Sequence, residues 1–447
     1  MSDEQKKNFV VAVIGAGPAG LYASKLLASK GIRVALINRD IKPGGLAEYG
    51  IYYTKYKMKE GLRKQFRQIL EMPEISYYGN VTVGEGTGLS LEDLKNMGFQ
   101  ASMVTVGAQG TKWLGLPGEE SAGVFHAKDI VYFYNSLPPF STQKCSFGNR
   151  VALIGVGNVM IDIAHWAIRD LKVEEVIAVA RRGPAEVKFT KKEMEYVARN
   201  LDLQALDVEI ERVAERMKEV GQDPQTAKDF ILSALPKAIE PVSDTKFTFQ
   251  FLSSPSRIIG DENGCVKGLE VEDTKLVLKN GDTKARNLET KRVLDVDTVV
   301  FCIGDKVDEE FGLPVQWNEF MKNPEPEFAV DGISYEAYDP EKEKSIDGVF
   351  FAGWSREASS GLVGIARKDG ENGARALLSY LDTRCPEVDP EPVIQNLDNF
   401  LVENFEGIVG ADGIQKLVVK EAEQAELLGV EDYKMKTNEE MLEAIFN

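Results

Sequence analysis

The hydrophobic pattern opens with an unbroken apolar run at residues 9–14 (FVVAVI), followed at once by a glycine-rich stretch. Such a run of β-favouring residues predicts a strand buried on both faces, as in a parallel sheet. The stretch after it is Gly15-Ala16-Gly17-Pro18-Ala19-Gly20, residues 21–30 read as a helix, and Gly31 stops that helix. A second strand is predicted at 32–38. The same order returns about 140 residues later: a strand at 150–154, the turn Gly155-Val156-Gly157-Asn158, a helix at 159–170 and a strand at 173–180. That strand ends in Arg181-Arg182. Two strand–turn–helix–strand units in tandem amount to an internal duplication.

Beyond residue 188 the pattern is mixed and helical to about 238. Residues 246–252, 257–259 and 266–271 alternate like the strands of a meander, and 296–303 reads as another buried strand. A late strand at 348–354 leads into Gly361 and a helix to Leu381. Residues 386–392 read as a linker into an acidic, helical C-terminal segment.

Composition narrows this picture. A chain of 447 residues, 43% hydrophobic and 28% charged, fits two or three globular domains. No apolar stretch approaches the roughly 18 residues of a membrane span. The polar start, without a secretory-type apolar segment, leads to the expectation of a cytoplasmic protein. Cys145, Cys265, Cys302 and Cys385 lie far apart, which argues against zinc, an intrinsic iron–sulfur cluster or a local redox disulfide. Isolated thiols of this kind are expected to be small buried hydrophobes. No metal site is expected.

The net charge of −18 disfavours nucleic acid and anionic membrane as partners. Residues 386–447 carry fifteen acidic against four basic side chains. Against that background Lys55, Lys57, Lys59, Arg63, Lys64 and Arg67 crowd one segment, opposed only by Glu60. This segment is either a solvated helix face or a positive pole for an acidic partner.

A glycine turn between strand and helix gathers unpaired backbone N–H groups at the positive end of a helix dipole, where a pyrophosphate binds. Gly15 permits the turn, Gly17 admits the phosphate and Gly20 allows close helix–strand packing. The end of the second strand should hold the adenosine ribose with an acid; here Asn38 stands there. In the second unit Arg181 and Arg182 occupy the equivalent end, where guanidinium groups suit a 2′-phosphate and favour NADP over NAD. Two nucleotide sites on one chain suit a flavin and a pyridine nucleotide exchanging hydride, with FAD at the first site. Residues 103–108 form an apolar strand ending at Gly107. Gly353-Trp354 closes the late strand, and Gly361-Leu362-Val363 opens a helix whose N-terminus would face the flavin. The expected fold class is α/β, with two Rossmann-like, glutathione-reductase-type dinucleotide-binding domains. The NADP domain (111–334) is inserted in the FAD domain (1–110 and 335–447).

Together these patches resemble the adrenodoxin-reductase type of ferredoxin–NADP reductase. The most specific string is Arg181-Arg182-Gly183-Pro184 followed by Phe189-Thr190-Lys191-Lys192-Glu193. Gly353-Trp354 with Gly361-Leu362-Val363, and Tyr433-Lys434-Met435-Lys436 near the end, also match. The resemblance implies FAD contacts at Ala19, Asn38, Leu46, Val81, Trp354 and residues 361–363. It implies NADP contacts at Val156, Gly157, Asn158, Val159, Arg181, Arg182, Glu193 and Gly361. It further implies a ferredoxin or similar iron–sulfur carrier as partner, near the basic segment 55–67 if that is a docking pole. The family's Asp-His pair falls on Thr54-Lys55 and its second Glu on Tyr196, so no catalytic acid–base residue is assigned. An alternative is an NAD(P)H-oxidising flavoprotein subunit of a larger complex, like a glutamate synthase small subunit; residues 301–308 resemble that group. Partner subunits are possible on that reading.

Overall fold

The computed structural model describes residues 8–359, 361–385 and 389–447. Its chain divides into two compact units, one built on a mostly parallel sheet with an antiparallel edge strand and the other on a parallel sheet. The first takes in residues up to Thr111, then Tyr134–Thr142 and Gly304–Asn447; the second comprises Lys112–Phe133 and Gln143–Ile303. The second unit is therefore an insertion, as expected, but the boundaries move. Residues 304–334, expected in the inserted domain, and 134–142 both belong to the first unit. The sequence marks Gly304 with no break in composition, and short segments that cross back leave no local signature.

The first unit starts with β1 (Val10–Ile14), α1 (Pro18–Ala28) and β2 (Arg33–Asn38). Next come α2 (Leu46–Tyr49), α3 (Tyr56–Leu70), β3 (Ile75–Gly79) and β4 (Ala101–Val104). β1 pairs in parallel with β2 (Val10 opposite Arg33) and with β4 (Val11 opposite Ala101). Alternate residues of β1 enter different cores: Val11 and Val13 meet one face, Val10, Ala12 and Ile14 the other. All are almost fully buried. Both faces are covered, which is why the strand reads as continuous rather than alternating. Each such side chain contributes about 1.5–3 kcal/mol of burial.

In the second unit β5 (Val124–His126), β6 (Arg150–Ile154), α4 (Asn158–Trp166) and β7 (Glu175–Val179) lead to α5 (Leu203–Lys218) and β8 (Lys246–Gln250). β9 (Ser253–Gly260), β10 (Val266–Lys279), β11 (Asp282–Leu294) and β12 (Thr298–Phe301) complete it. Its parallel sheet runs β5-β12-β6-β7-β8, and β9-β10-β11 form a separate antiparallel sheet. Thus β8, read from sequence as part of the meander, is instead the fifth strand of the main sheet, parallel to β7. β11 was not foreseen: its residues are largely exposed on both faces and carry no alternation.

Returning to the first unit, β13 (Val315–Gln316) and β14 (Glu319–Phe320) form a hairpin. β15 (Glu336–Asp339) and β16 (Lys344–Phe351) follow, completing a six-stranded sheet in the order β15-β16-β4-β1-β2-β3. α6 (Val363–Leu381), α7 (Pro390–Asn404), α8 (Ala411–Leu428) and α9 (Asn438–Phe446) close the chain. α7 packs on one face of the sheet through Val393 and Leu397, while α8 and α9 pack on the other through Leu417 and Ile445. Of the expected linker, residues 386–388 lie outside the described residues. Asp389 already caps α7, and Pro390 is its first residue, a position where proline is favoured. Among the described residues no helix is long and apolar enough to cross a membrane.

Candidate functional site

The first glycine turn is shaped by contacts that only glycine allows. Gly15 has φ +101°, its N–H donates to Ile37 O at 2.7 Å, and a Cβ there would lie 2.5 Å from Thr105 O. A Cβ on Gly20 would come within 1.9 Å of Gly15 O. At Gly17 a Cβ would meet nothing, and the helix α1 that it caps has no side-chain cap. The open position and the uncapped N–H groups together form a cradle suited to a pyrophosphate. A second glycine pair, Gly44-Gly45, closes on it: Gly44 N–H donates to Ala16 O at 2.7 Å, and Gly45 lies against the Gly17 backbone. The sequence reading missed this pair, although Pro43-Gly44-Gly45 is a recognisable turn signal.

Asn38, expected to meet the adenosine ribose, is tied to the turn itself. Its Oδ1 accepts from Ala16 N–H at 2.9 Å, and its Nδ2 donates to Asp40 O at 2.7 Å and Lys42 O at 3.2 Å. Its buried carboxamide is thus committed to the backbone, so it pins the turn. Val81 N–H donates to Asn38 O, and Val81 itself is buried.

The late strand delivers the other expected residues to this end of the sheet. Gly353 (φ +67°) packs so that a Cβ would sit 2.7 Å from the Ala19 Cβ, and its N–H donates to Asp369 Oδ2 at 2.7 Å. Asp369 also receives Arg356, at 2.8 Å to Oδ1. Gly107 N–H donates to Ser355 Oγ at 2.9 Å, tying the end of β4 to the segment around Trp354. On α6, Gly370 abuts Ala19 so closely that a Cβ would lie 2.2 Å from Ala19 O. Leu362 caps α6 without a side-chain hydrogen bond and is 69% exposed, while Val363 is the first helical residue. Ala19, Gly107, Gly353, Trp354 and the start of α6 therefore converge on one end of the first unit, around the glycine cradle.

The second turn repeats the construction. Gly155 (φ +123°) lies against Cys302 O, and Gly157 faces open space at the uncapped N-terminus of α4. Val156 O accepts from Lys188 N–H at 2.8 Å, and Asn158 Oδ1 accepts from Thr190 N–H at 2.8 Å. These bonds seat the 188–193 string beside the turn, and Thr190 Oγ1 caps the helical turn by accepting from Glu193 N–H. Val159 is exposed. The backbone of the arginine pair is braced: Thr274 Oγ1 donates to Arg181 O, and Leu252 N–H donates to Arg182 O. Among the described residues neither guanidinium has a carboxylate within ion-pair distance, so both remain available to an anion.

A buried ion cluster beside α2 escaped the sequence reading. Glu48 takes Arg63 Nε and Nη2 at 2.7 Å each, Lys434 Nζ at 2.9 Å and Lys42 Nζ at 3.6 Å. Arg63 also meets Asp432 at 2.8 Å, and Lys42 pairs with Glu421. Burial pushes the Glu48 carboxyl up, but Lys434, Lys42 and Arg63 outweigh it and hold it well below the usual range. Lys59, fully buried, donates to Asn135 Oδ1 at 2.6 Å, and burial with the nearby Lys434 lowers its pKa to about 6. These contacts correct the reading of segment 55–67 as a docking pole. Lys59 is inside, Arg63 is held by acids, and Arg67 is paired with Glu60. Of the six, Lys57 and Lys64 are the exposed ones.

All four cysteines are free, but Cys265 and Cys385 are exposed rather than buried as expected: Cys265 sits in a bridge at the start of β10 and Cys385 follows the end of α6. Burial and Asp129 push the Cys145 thiol up to about 12.

Two glycine cradles, each at a strand–helix junction of its own parallel sheet, define a two-dinucleotide oxidoreductase architecture. Residues 9–234 match the profile of the pyridine nucleotide-disulphide oxidoreductases, and the chain belongs to that family. It is 29% identical over 342 residues to the NADPH-ferredoxin reductase FprA of Mycobacterium leprae, covering 68% of this chain and 72% of that protein. It is 26% identical over 337 residues to the mitochondrial NADPH:adrenodoxin oxidoreductase of Arabidopsis thaliana, covering 68% and 69%. The structure of Mycobacterium tuberculosis FprA in complex with NADPH superposes with a TM-score of 0.81 at 24% identity, covering 98% of this chain and all of that one.

Proposed function

We infer that the protein is an FAD-dependent reductase that takes hydride from NADPH and passes electrons singly to a ferredoxin-like iron–sulfur protein. The observation that carries this reading is the pairing of two open, uncapped glycine cradles with an arginine pair left free of acids. Relatives named for NADPH, ferredoxin and adrenodoxin support the same assignment. When bound, FAD supplies a ring that accepts hydride and releases its electrons one at a time.

The chain's own residues then hold and orient. The proposed FAD site comprises Gly15, Gly17, Ala19, Gly20, Leu46, Val81, Gly107, Gly353, Trp354 and residues 361–363, with Asn38 pinning the turn. Its fit rests on the open space at Gly17 and the uncapped start of α1. The uncapped N-terminus of α6 favours negative charge on a reduced ring. The proposed NADP site comprises residues 156–159, Arg181, Arg182 and Glu193, the guanidinium pair taking the 2′-phosphate. The proposed compartment is the cytoplasm, supported by four free thiols. Rapid mixing of the NADPH-reduced protein with a ferredoxin tests the reading. Prompt reoxidation is expected, whereas acceptance by a quinone or flavodoxin but never by ferredoxin would remove the iron–sulfur partner.

A further inference from the structure

Strands β10 (Val266–Lys279) and β11 (Asp282–Leu294) end in a ribbon closed by Asn280-Gly281, whose φ values are +53° and +81°. That is a favoured two-residue hairpin turn, and it fixes the register. Lys275 stands opposite Arg286, Val277 opposite Lys284 and Lys279 opposite Asp282. Opposite residues share a face, as do next-but-one residues along a strand. One face of the ribbon therefore carries Thr274, Leu276 and Thr283, and it rests against its own unit. Thr274 Oγ1 donates to Arg181 O at 2.7 Å, Thr283 Oγ1 donates to Glu186 Oε1 at 2.8 Å, and a Cβ on Gly183 would lie 3.6 Å from Leu276 Cδ1. The other face carries Lys275, Lys279, Lys284 and Arg286, the last three exposed.

Lys275 and Arg286 are like charges standing directly opposite each other, an arrangement that costs stability. Nearer the base of the same sheet cations are matched: Lys291 and Arg257 share Glu270, and Arg212, Arg216 and Arg292 share Asp273. On the ribbon they are not. Among the described residues none of its four cations has a carboxylate within ion-pair distance. The neighbouring acids are spent on other groups. Glu272 accepts from Asn287 Nδ2 at 2.9 Å and from Glu289 N–H at 2.8 Å, and Asp282 Oδ1 accepts from Thr283 N–H at 2.8 Å. Four unmatched cations on a firm support, in a chain of net charge −18, suit an anion from outside. Their face is turned from Arg181 and Gly183, so a nucleotide on the second cradle leaves them uncovered. The charge of the whole chain repels nucleic acid, which leaves the acidic face of a protein.

We propose that this face of the β10–β11 ribbon docks the iron–sulfur carrier through carboxylates on the carrier's surface. The inference rests on the reading of the chain as an NADPH-to-carrier reductase. It adds that the carrier is acidic where it binds, and that Lys275, Lys284 and Arg286 receive it rather than the segment 55–67.

The test uses the FAD-loaded protein and an acidic plant-type ferredoxin. Two reduced ferredoxins, NADP+ and one proton give two oxidised ferredoxins and NADPH, and docking serves either direction. Replacing Lys275, Lys284 and Arg286 together with Gln should raise the calorimetric Kd of oxidised ferredoxin and the KM of reduced ferredoxin about tenfold at low salt, with kcat unchanged. The difference should fade in about 0.5 M salt. Flavin reduction by NADPH and turnover with a neutral quinone should stay as they were. Tm should not fall, since the substitutions relieve repulsion, and Arg286→Lys, which keeps the charge, should bind ferredoxin normally. Unchanged Kd and KM in the Gln variant overturn the proposal and leave the carrier reading standing. Equal weakening in Arg286→Lys overturns it too, as does a short DNA duplex that binds more tightly than ferredoxin. Binding lost in the Gln variant without electron transfer in either form keeps the docking face and removes the carrier reading; no ferredoxin binding to the unaltered protein removes the docking face.

Discussion

Glu48→Gln strikes the buried ion cluster at its hub. The substitution keeps the shape of the side chain but removes the charge that faces Arg63, Lys434 and Lys42. Three cations, Lys42, Arg63 and Lys434, are then left with Glu421 and Asp432. Removing one partner of a buried pair costs about 3–5 kcal/mol. The amide oxygen still accepts one bond from Arg63, which places this case near the lower end, at about 3 kcal/mol. At about 2–4 °C per kcal/mol, Tm should fall by roughly 6–12 °C. Glu48 belongs to α2 (Leu46–Tyr49), whose first turn starts at Gly45 against the Gly17 backbone. If half of the loss reaches that cradle, FAD affinity falls about tenfold. Thermal melting of the FAD-free protein and a fluorescence titration with FAD read the two effects separately. A Tm within about 2 °C of the unaltered protein, together with unchanged FAD affinity, would refute the hub assignment.

Other changes probe different parts. Replacing Arg181 and Arg182 together with Ala removes charge-assisted bonds of about 1.5–3 kcal/mol each, so NADPH should bind roughly a hundredfold more weakly or worse while NADH changes little. Equal losses for both nucleotides in a titration would contradict the 2′-phosphate role. Lys59 has a folded-state pKa of about 6 against an ordinary 10.5. Between those values the unfolded chain carries the proton and the folded chain does not, so stability rises with pH by about 1.4 kcal/mol per unit. Below about pH 6 both states are protonated and the full penalty of burying the charge remains. Lys59→Met should abolish this rise in urea unfolding at pH 6–9; an unaltered slope would exclude the buried neutral amine.

Much of this architecture is legible because it is local. The runs at 9–14 and 150–154 are buried on both faces, and the glycine spacing after each run lies within a few consecutive residues, although Gly15 and Gly155 pack against the distant Thr105 and Cys302. What stayed illegible depends on distant partners. Lys59, Arg63 and Arg67 look like a basic surface on a helix. Arg67 pairs locally with Glu60, but Arg63's acid Asp432 and Lys59's partner Asn135 lie far off in sequence, and nothing in the local pattern reveals that α3 (Tyr56–Leu70) buries Lys59. Asn38 was read as a ribose ligand from its place at the end of the second strand; its bonds to Ala16 N–H and Asp40 O are not announced by that position. The polar strand β11 (Asp282–Leu294) is held by hydrogen bonding along β10 (Val266–Lys279) rather than by an apolar face, so periodicity could not find it.

The two glycine cradles and the arginine pair are proposed to serve one hydride path from NADPH to FAD. Anaerobic stopped-flow of the FAD-loaded protein, following loss of the flavin absorbance, tests it most directly. Rapid bleaching by NADPH is expected, with bleaching slower by about a hundredfold with NADH at equal low concentration. Equal rates with the two nucleotides, or no bleaching by either, would contradict it.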